Sequence, residues 1–280
     1  MLVKKYSGEL VPFDETALRR SLMRSGASEE TVNQVYASIQ NKLYDGISTK
    51  ELYELAFASL KNKRSSYAAR YSLKRALREL GPEGFYFEKW VARLFQEDGY
   101  NSMTGQTIQG HAVTHEIDVI AQHNNELLAV ECKFRNDADA KISVTTPMYF
   151  KSRVTDIMDL TFRFFNKELK FTDGWLVTNA YFTSDSVKFG EYYKMNLLSW
   201  DYPAGNSLKN KVDNNGEYPI TCLTTISQQD KAMLLKNQCI LVKDLLRDEA
   251  LCDRIQITRE KKQAALQEAK ELINSPLEHE

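Results

Sequence analysis

HEIDVIAQHNNELLAVECKF, residues 115–134, decides how this chain is read. Two runs rich in Ile, Val and Leu flank Asn124-Asn125, a dipeptide suited to a tight turn, so the stretch predicts a β-hairpin. Alternate side chains of a strand share a face, so Glu131 and Lys133 project together while Cys132 points away. Asp118 and Glu131 stand at nearly equal distances from the turn, which places them opposite each other on neighbouring strands. Side chains paired in this way lie about 5 Å apart at Cβ, close enough to share one ligand. Two carboxylates converging on one point repel unless a cation joins them, and hard oxygen ligands suit Mg2+ or Mn2+. A lysine two residues along is placed to position a water, while the cation polarises a phosphoryl oxygen and stabilises a departing alkoxide. Such a set suits phosphodiester hydrolysis. A surface ladder of ion pairs is the competing reading. Ile117, Val119, Ile120, Val130 and Phe134 count against it, because they make this a core hairpin.

Outward from the hairpin, strands alternate with helices. GFYFEKWVARLFQEDGY, residues 84–100, predicts a helix with Phe87, Val91 and Leu94 on one face. A second helix is expected after Pro147, carrying Val154, Ile157, Met158 and Phe165. GWLVTNAYF (174–182) reads as a buried strand, SDSVKFGEYYKM (184–195) as a helix and NLLSW (196–200) as a short strand. This alternation implies an α/β sheet covered on both faces. The glycines of GQTIQGHA (105–112) have P-loop spacing, but His111 and Ala112 stand where Lys and Ser or Thr would be needed, which excludes a Walker motif.

Upstream the pattern changes. Residues 2–13 predict a short hairpin around Ser7-Gly8, and Asp14 caps a helix with Leu18 and Leu22 on one face. A second helix is expected near 29–43, and Ser48 with Glu51 has capping-box spacing ahead of a third. A fourth runs through YAARYSLKRALREL (67–80) to Gly81-Pro82, the best domain boundary in the chain. Residues 61–78 hold Lys61, Lys63, Arg64, Arg70, Lys74, Arg75 and Arg78 with no acid, a pattern that favours phosphate binding over a merely solvated helix face. Residues 201–280 predict a Gly/Asn-rich loop, a helical pair around 227–250 and a charged helix from about 254 to 274.

Composition sets outer bounds. The chain has 280 residues, 42% hydrophobic and 27% charged, with 37 basic against 38 acidic side chains and a formal charge of −1. A histone-like polycation is excluded, and any nucleic-acid surface must be a local patch. No apolar run approaches the roughly 18 residues of a membrane span, and MLVKKYSGEL has no apolar core of a secretory signal. The four cysteines are widely spaced with no CxxC pair, which fits a cytoplasmic protein without a disulfide framework.

In the order and spacing of GFYFEKWVARLFQEDGY, HEIDVIA and VECKF, the chain resembles the catalytic domain of Mrr-type restriction endonucleases, within the PD-(D/E)xK nuclease superfamily. The likeness continues to about residue 200. It implies that Asp118 and Glu131 bind the metal, that Lys133 orients the nucleophilic water, and that Glu88 points at the site from the preceding helix. The Pro that names the superfamily is Ile117 here. Glu116 is expected at the surface or just behind the site.

The opening segments VKKYSGELVPFD, LYDGISTKELYELA and YAARYSLKRALREL resemble the ATP-cone, a regulatory nucleotide-binding module. The resemblance implies Lys4 and Lys5 for the phosphates, with Val3, Asp45, Thr49 and Tyr53 nearby. The Arg-Asp-Gly often seen in this hairpin is Tyr6-Ser7-Gly8, and the Lys usual after the second strand is Ala17, with Arg19 and Arg20 close by to replace it.

The expected fold is α/β: a small, mostly helical ATP-cone with a β-hairpin (1–82), a restriction-endonuclease-like α/β/α sandwich (83–204) and a helical C-terminal extension (205–280). The resemblance implies a Mg2+- or Mn2+-dependent DNA endonuclease regulated by ATP or dATP. Its expected partners are DNA and nucleotide, with no membrane and with self-association left open. The alternative is a non-catalytic, nucleotide-sensing DNA-binding regulator. Retention of Asp118, Glu131 and Lys133 together favours the enzyme, since a binder has no chemical need for all three.

Overall fold

The computed structural model describes residues 1–5, 7–81 and 83–274. Tyr6, the helix-stop residue Pro82 and the last six positions of the C-terminal extension lie outside the described residues. The chain divides into two compact units, residues 1–73 with 220–280, and residues 74–219. The first and last segments of the sequence thus share one unit.

In that unit Leu2–Lys4 pairs antiparallel with Leu10–Pro12 and parallel with Ile47–Ser48. Asp14 accepts the Ala17 N–H at 2.9 Å and starts the helix Glu15–Met23. Ser48 and Glu51 form a reciprocal capping box at the head of Thr49–Lys63. Leu18, Leu22, Val32, Val35, Ile39 and Leu60 supply a buried core. The fourth helix departs from the sequence reading. It is two helices, Ser65–Tyr71 and Leu73–Arg78, broken at Ser72, whose hydroxyl donates to the Ala69 carbonyl.

The basic run also departs from the sequence reading, because Lys61, Lys63, Arg64, Arg70 and Lys74 are engaged within the protein. Lys61 donates to the Thr224 carbonyl, Lys63 to Gln34 and Arg64 to Glu271, each at 2.7 Å. Arg70, 6% exposed, donates to the Leu272 carbonyl at the end of the helix Arg259–Asn274. In the other unit the Lys74 ammonium lies 3.8 Å above the Tyr181 ring, and burial lowers its pKa to about 8. Cations so engaged do not form an open phosphate-binding face.

The unit 74–219 is built on a five-stranded sheet: β1 (Asn101–Gln109), β2 (Thr114–His123), β3 (Glu126–Lys133), β4 (Asp173–Thr178) and β5 (Asn196–Leu198). Its order is β5-β4-β3-β2-β1. β1, β2 and β3 pair antiparallel in sequence, β4 joins parallel to β3, and β5 joins parallel to β4. His123 pairs with Glu126, so the hairpin closes on the two residues Asn124 and Asn125, with Asn124 at φ 52°.

Three helices cover the sheet: α1 (Phe85–Glu97), α2 (Thr145–Ile157) and α3 (Ser184–Tyr192). Trp175 of β4 meets Phe95 of α1 edge-on at 5.7 Å, while its neighbour Leu176 packs with Phe150 and Val154 of α2. Adjacent strand residues face opposite ways, so α1 and α2 lie on opposite faces and the unit is an α/β/α sandwich. A Cβ on Gly174 would fall 2.8 Å from Val154, and this close approach seats α2 on the sheet.

Phe165 does not continue α2. It sits with Asn166 in the turn of a hairpin, Thr161–Phe164 with Lys167–Lys170, both turn residues at positive φ (49° and 62°). Residues 105–109 of the stretch with P-loop spacing belong to β1. Among the described residues no helix is long and apolar enough to cross a membrane.

Candidate active site

The β2–β3 ladder runs from the turn to Val119 and Val130 and stops there. One step further, where the register sets Asp118 opposite Glu131, the Asp118 carboxylate accepts the Cys132 N–H at 2.7 Å. Polar side chains thereby collect at the parting of two strands. Glu131 is 2% exposed, and its two oxygens are divided between two cations. Lys133 Nζ donates to Oε1, and Arg153 Nη1 donates to Oε2 at 2.5 Å. The second amine of Arg153 donates to the Glu116 carbonyl.

Glu88 comes from α1. Gly84 precedes this helix at φ 84°, where a Cβ would fall 3.3 Å from that of Phe134, and Phe87 packs on Phe134 at 5.6 Å. The first turn of α1 is thus set beside the residue that follows Lys133. In the last turn of α2, Asp156 accepts the N–H groups of Ala112 and Val113 and meets His115 Nε2 at 2.8 Å. His115 has a bracing role at the β1–β2 turn. Burial, followed by the Asp118 charge, pushes the Cys132 thiol well up, which is unsuited to a nucleophile.

Electrostatics mark the same cluster. Asp118 is raised to about 6, by burial first and the Glu131 charge second. Glu88 is raised to about 7, by burial and then by Asp118, Glu116 and Glu131. Such carboxyls bind protons more tightly folded than unfolded, where 3.8 and 4.5 are the ordinary values. Their contribution to stability is therefore greatest below those values and is lost as pH rises toward 6 and 7. In chelator, the melting temperature of the protein will fall over this range, and that of Asp118→Asn will fall less. Parallel profiles for the two proteins would contradict the coupling.

In the first unit, Val3 is buried in the opening strand and Lys4 is paired with Ser48. Thr49 begins the next helix, and Tyr53, one turn on, stacks on Tyr71 with ring centroids 5.1 Å apart. The register thus brings Val3, Lys4 and Thr49 together. Lys5 pairs with Glu9 at 3.1 Å on the exposed hairpin. Arg19 is engaged elsewhere, bonded to Glu15 and Asn33 and lying 4.3 Å over the Tyr36 ring. Asp45 accepts the Leu2 N–H at 2.6 Å and anchors the opening strand.

Three protein families match consecutive parts of the chain. The ATP cone domain matches residues 1–80, the restriction endonuclease family of the Mrr catalytic type matches 80–202, and the AF1548-like C-terminal family matches 218–273. In sequence order the chain thus carries an ATP-cone match, an Mrr-type restriction endonuclease match and an AF1548-like C-terminal match, the arrangement its sequence predicts for the first two. An uncharacterized protein of Archaeoglobus fulgidus is 28% identical over 184 residues, 65% of this chain and 99% of that protein. The crystal structure of AF1548, a protein of unknown function, is similar at a TM-score of 0.55 and 28% identity, over 68% of this chain and 97% of that one.

Arg153 is the site residue that the sequence did not reveal. It lies 22 residues beyond Glu131 on a helix whose evident signal is its apolar face.

Proposed function

We propose that this chain is a divalent-metal-dependent DNA endonuclease whose output is set by ATP or dATP bound in its N-terminal cone. The observation that carries the reading is the gathering of Asp118, Glu131 and Lys133 where β2 and β3 part, inside the segment matched by the restriction endonuclease family. The donor set fits a hard cation, since two mutually repelling carboxylates gain most from a shared positive charge. Among the described residues no three His, Cys, Asp or Glu side chains enclose a metal unaided.

Asp118 and Glu131 would hold the cation. Once bound, it supplies positive charge against the phosphoryl oxygens and the departing alkoxide. Lys133 donates a hydrogen bond to the attacking water and aims it at phosphorus. The water oxygen forms the new bond to phosphorus and loses its proton to solvent, as the bond to the leaving sugar oxygen breaks and that oxygen takes up a proton from solvent. Glu88, titrating near 7, holds or releases a proton close to neutral pH. In the cone, Lys4 beside Ser48 and Thr49 supports a phosphate site at the start of a helix, where N–H groups face outward.

Supercoiled plasmid in Mg2+, Mn2+ or chelator tests the reading. Nicking is expected with either cation, none in chelator, and none from Asp118→Asn. DNA retained but uncut under every condition would favour the nucleotide-sensing DNA-binding regulator.

A further inference from the structure

We propose that Arg153 is the positioning residue that fixes the Glu131 carboxylate for its cation, an inference that rests on the metal-dependent reading above. Arg153 makes bonds on two strands from a third element. From α2, one amine of its guanidinium meets Glu131 Oε2 on β3 at 2.5 Å, and the other meets the Glu116 carbonyl on β2. The same guanidinium lies 5.7 Å from the centre of the Tyr149 ring. These ties hold the side chain to 11% exposure.

Lys133 also bonds Glu131, on the other oxygen, but its situation differs. Its side chain is 31% exposed, and it must turn toward water if it is to orient the nucleophile. When it does, Glu131 retains only Arg153. A carboxylate oxygen carries two lone pairs, so Oε2 accepts the Arg153 N–H and still ligates a cation. The guanidinium therefore keeps its place and sets the angle at which the free lone pairs meet the metal. A planar fork is required, because an ammonium offers donors at one point and does not span Glu131 and the Glu116 carbonyl together.

The support behind Arg153 is rigid. Gly174 admits Phe150 and Val154 against the sheet on one side of the helix turn, and Asp156 binds Ala112, Val113 and His115 on the next. Loss of a partner that orients a metal ligand typically weakens metal binding about 10–100-fold. A mere counter-charge would behave in the opposite way. Removing a cation beside Glu131 would then tighten metal binding.

The test is Mn2+ titration by calorimetry on the full chain, without DNA, alongside melting in chelator. Wild type is expected to bind Mn2+ and Asp118→Asn to lose it. Arg153→Lys, which keeps the charge, is expected to bind about 10–100-fold more weakly while melting close to wild type. In plasmid nicking, Arg153→Lys will need more Mn2+ for half its maximal rate and approach the wild-type rate at saturation. Should Arg153→Lys fail to fold, Arg153→Gln, with one amide donor left, carries the same expectation. Undiminished Mn2+ affinity in the folded variant would overturn the inference, as would affinity tighter than wild type. A wild-type protein without Mn2+ binding sensitive to Asp118→Asn would overturn the metal-dependent reading itself, and the inference with it.

Discussion

Lys133→Ala will reduce plasmid cleavage by about 10²–10⁴-fold while leaving the fold and DNA affinity nearly intact. The selectivity of this loss follows from how Glu131 is held. The carboxylate is buried, and stripping every cation from it would leave an uncompensated charge with a large penalty. Lys133→Ala removes only the ammonium on Oε1, and Arg153 remains on Oε2. The folded state is therefore expected to survive the change that removes the group proposed to orient the water. Lys133→Arg will not restore activity, because a guanidinium presents its donors farther out and in a plane. Nicking rates, melting temperature and DNA affinity in Ca2+ should be measured on the same preparations. Full cleavage by correctly folded Lys133→Ala protein would remove Lys133 from the reaction.

ATP will bind the cone without being hydrolysed and will change nuclease output. The stretch with P-loop glycine spacing lies mostly in β1 and lacks the phosphate-binding lysine, so nothing in it suits hydrolysis of ATP. A ligand that is bound but not consumed acts only through its difference in affinity for two states of the protein. Typical couplings of this kind are about 5–150-fold. Reciprocity then requires DNA to alter ATP affinity by the same factor, which calorimetry on metal-free protein with and without a duplex will read. Lys4→Ala combined with Lys5→Ala should erase the nucleotide effect. Equal ATP affinities with and without DNA, together with cleavage rates indifferent to ATP and dATP, would leave the cone without a regulatory role.

Where local chemistry determined structure, the sequence was legible. The Asn124-Asn125 turn, the Asp14 cap and the Ser48–Glu51 capping box all form, because each satisfies backbone groups within a few residues. Asp118 and Glu131 could be brought together for the same reason, since a two-residue turn fixes register. Legibility failed where distant packing decided. Ser72 interrupts a helix that carries no Gly or Pro at that point, and Phe165 adopts a left-handed turn that its side chain does not advertise. The basic run looked like a phosphate surface because partners such as Thr224, Glu271 and Leu272 are remote in sequence. Arg153 was hidden by the same effect, since no local pattern couples a helix residue to a carboxylate two elements back.

The bonds from Arg64, Ser66 and Arg70 to Glu271 and Leu272 span 202 to 207 positions of the chain. On the ribosome, residues 74–219 are complete and contiguous well before the helix Arg259–Asn274 emerges. The unit 74–219 is thus free to order early, whereas the bonds from Arg64, Ser66 and Arg70 must wait until that helix has been made. A cell therefore passes through a period in which each nascent chain carries the unit with the proposed active site ahead of its finished N-terminal unit. Messages truncated after about codon 220 would extend that period indefinitely.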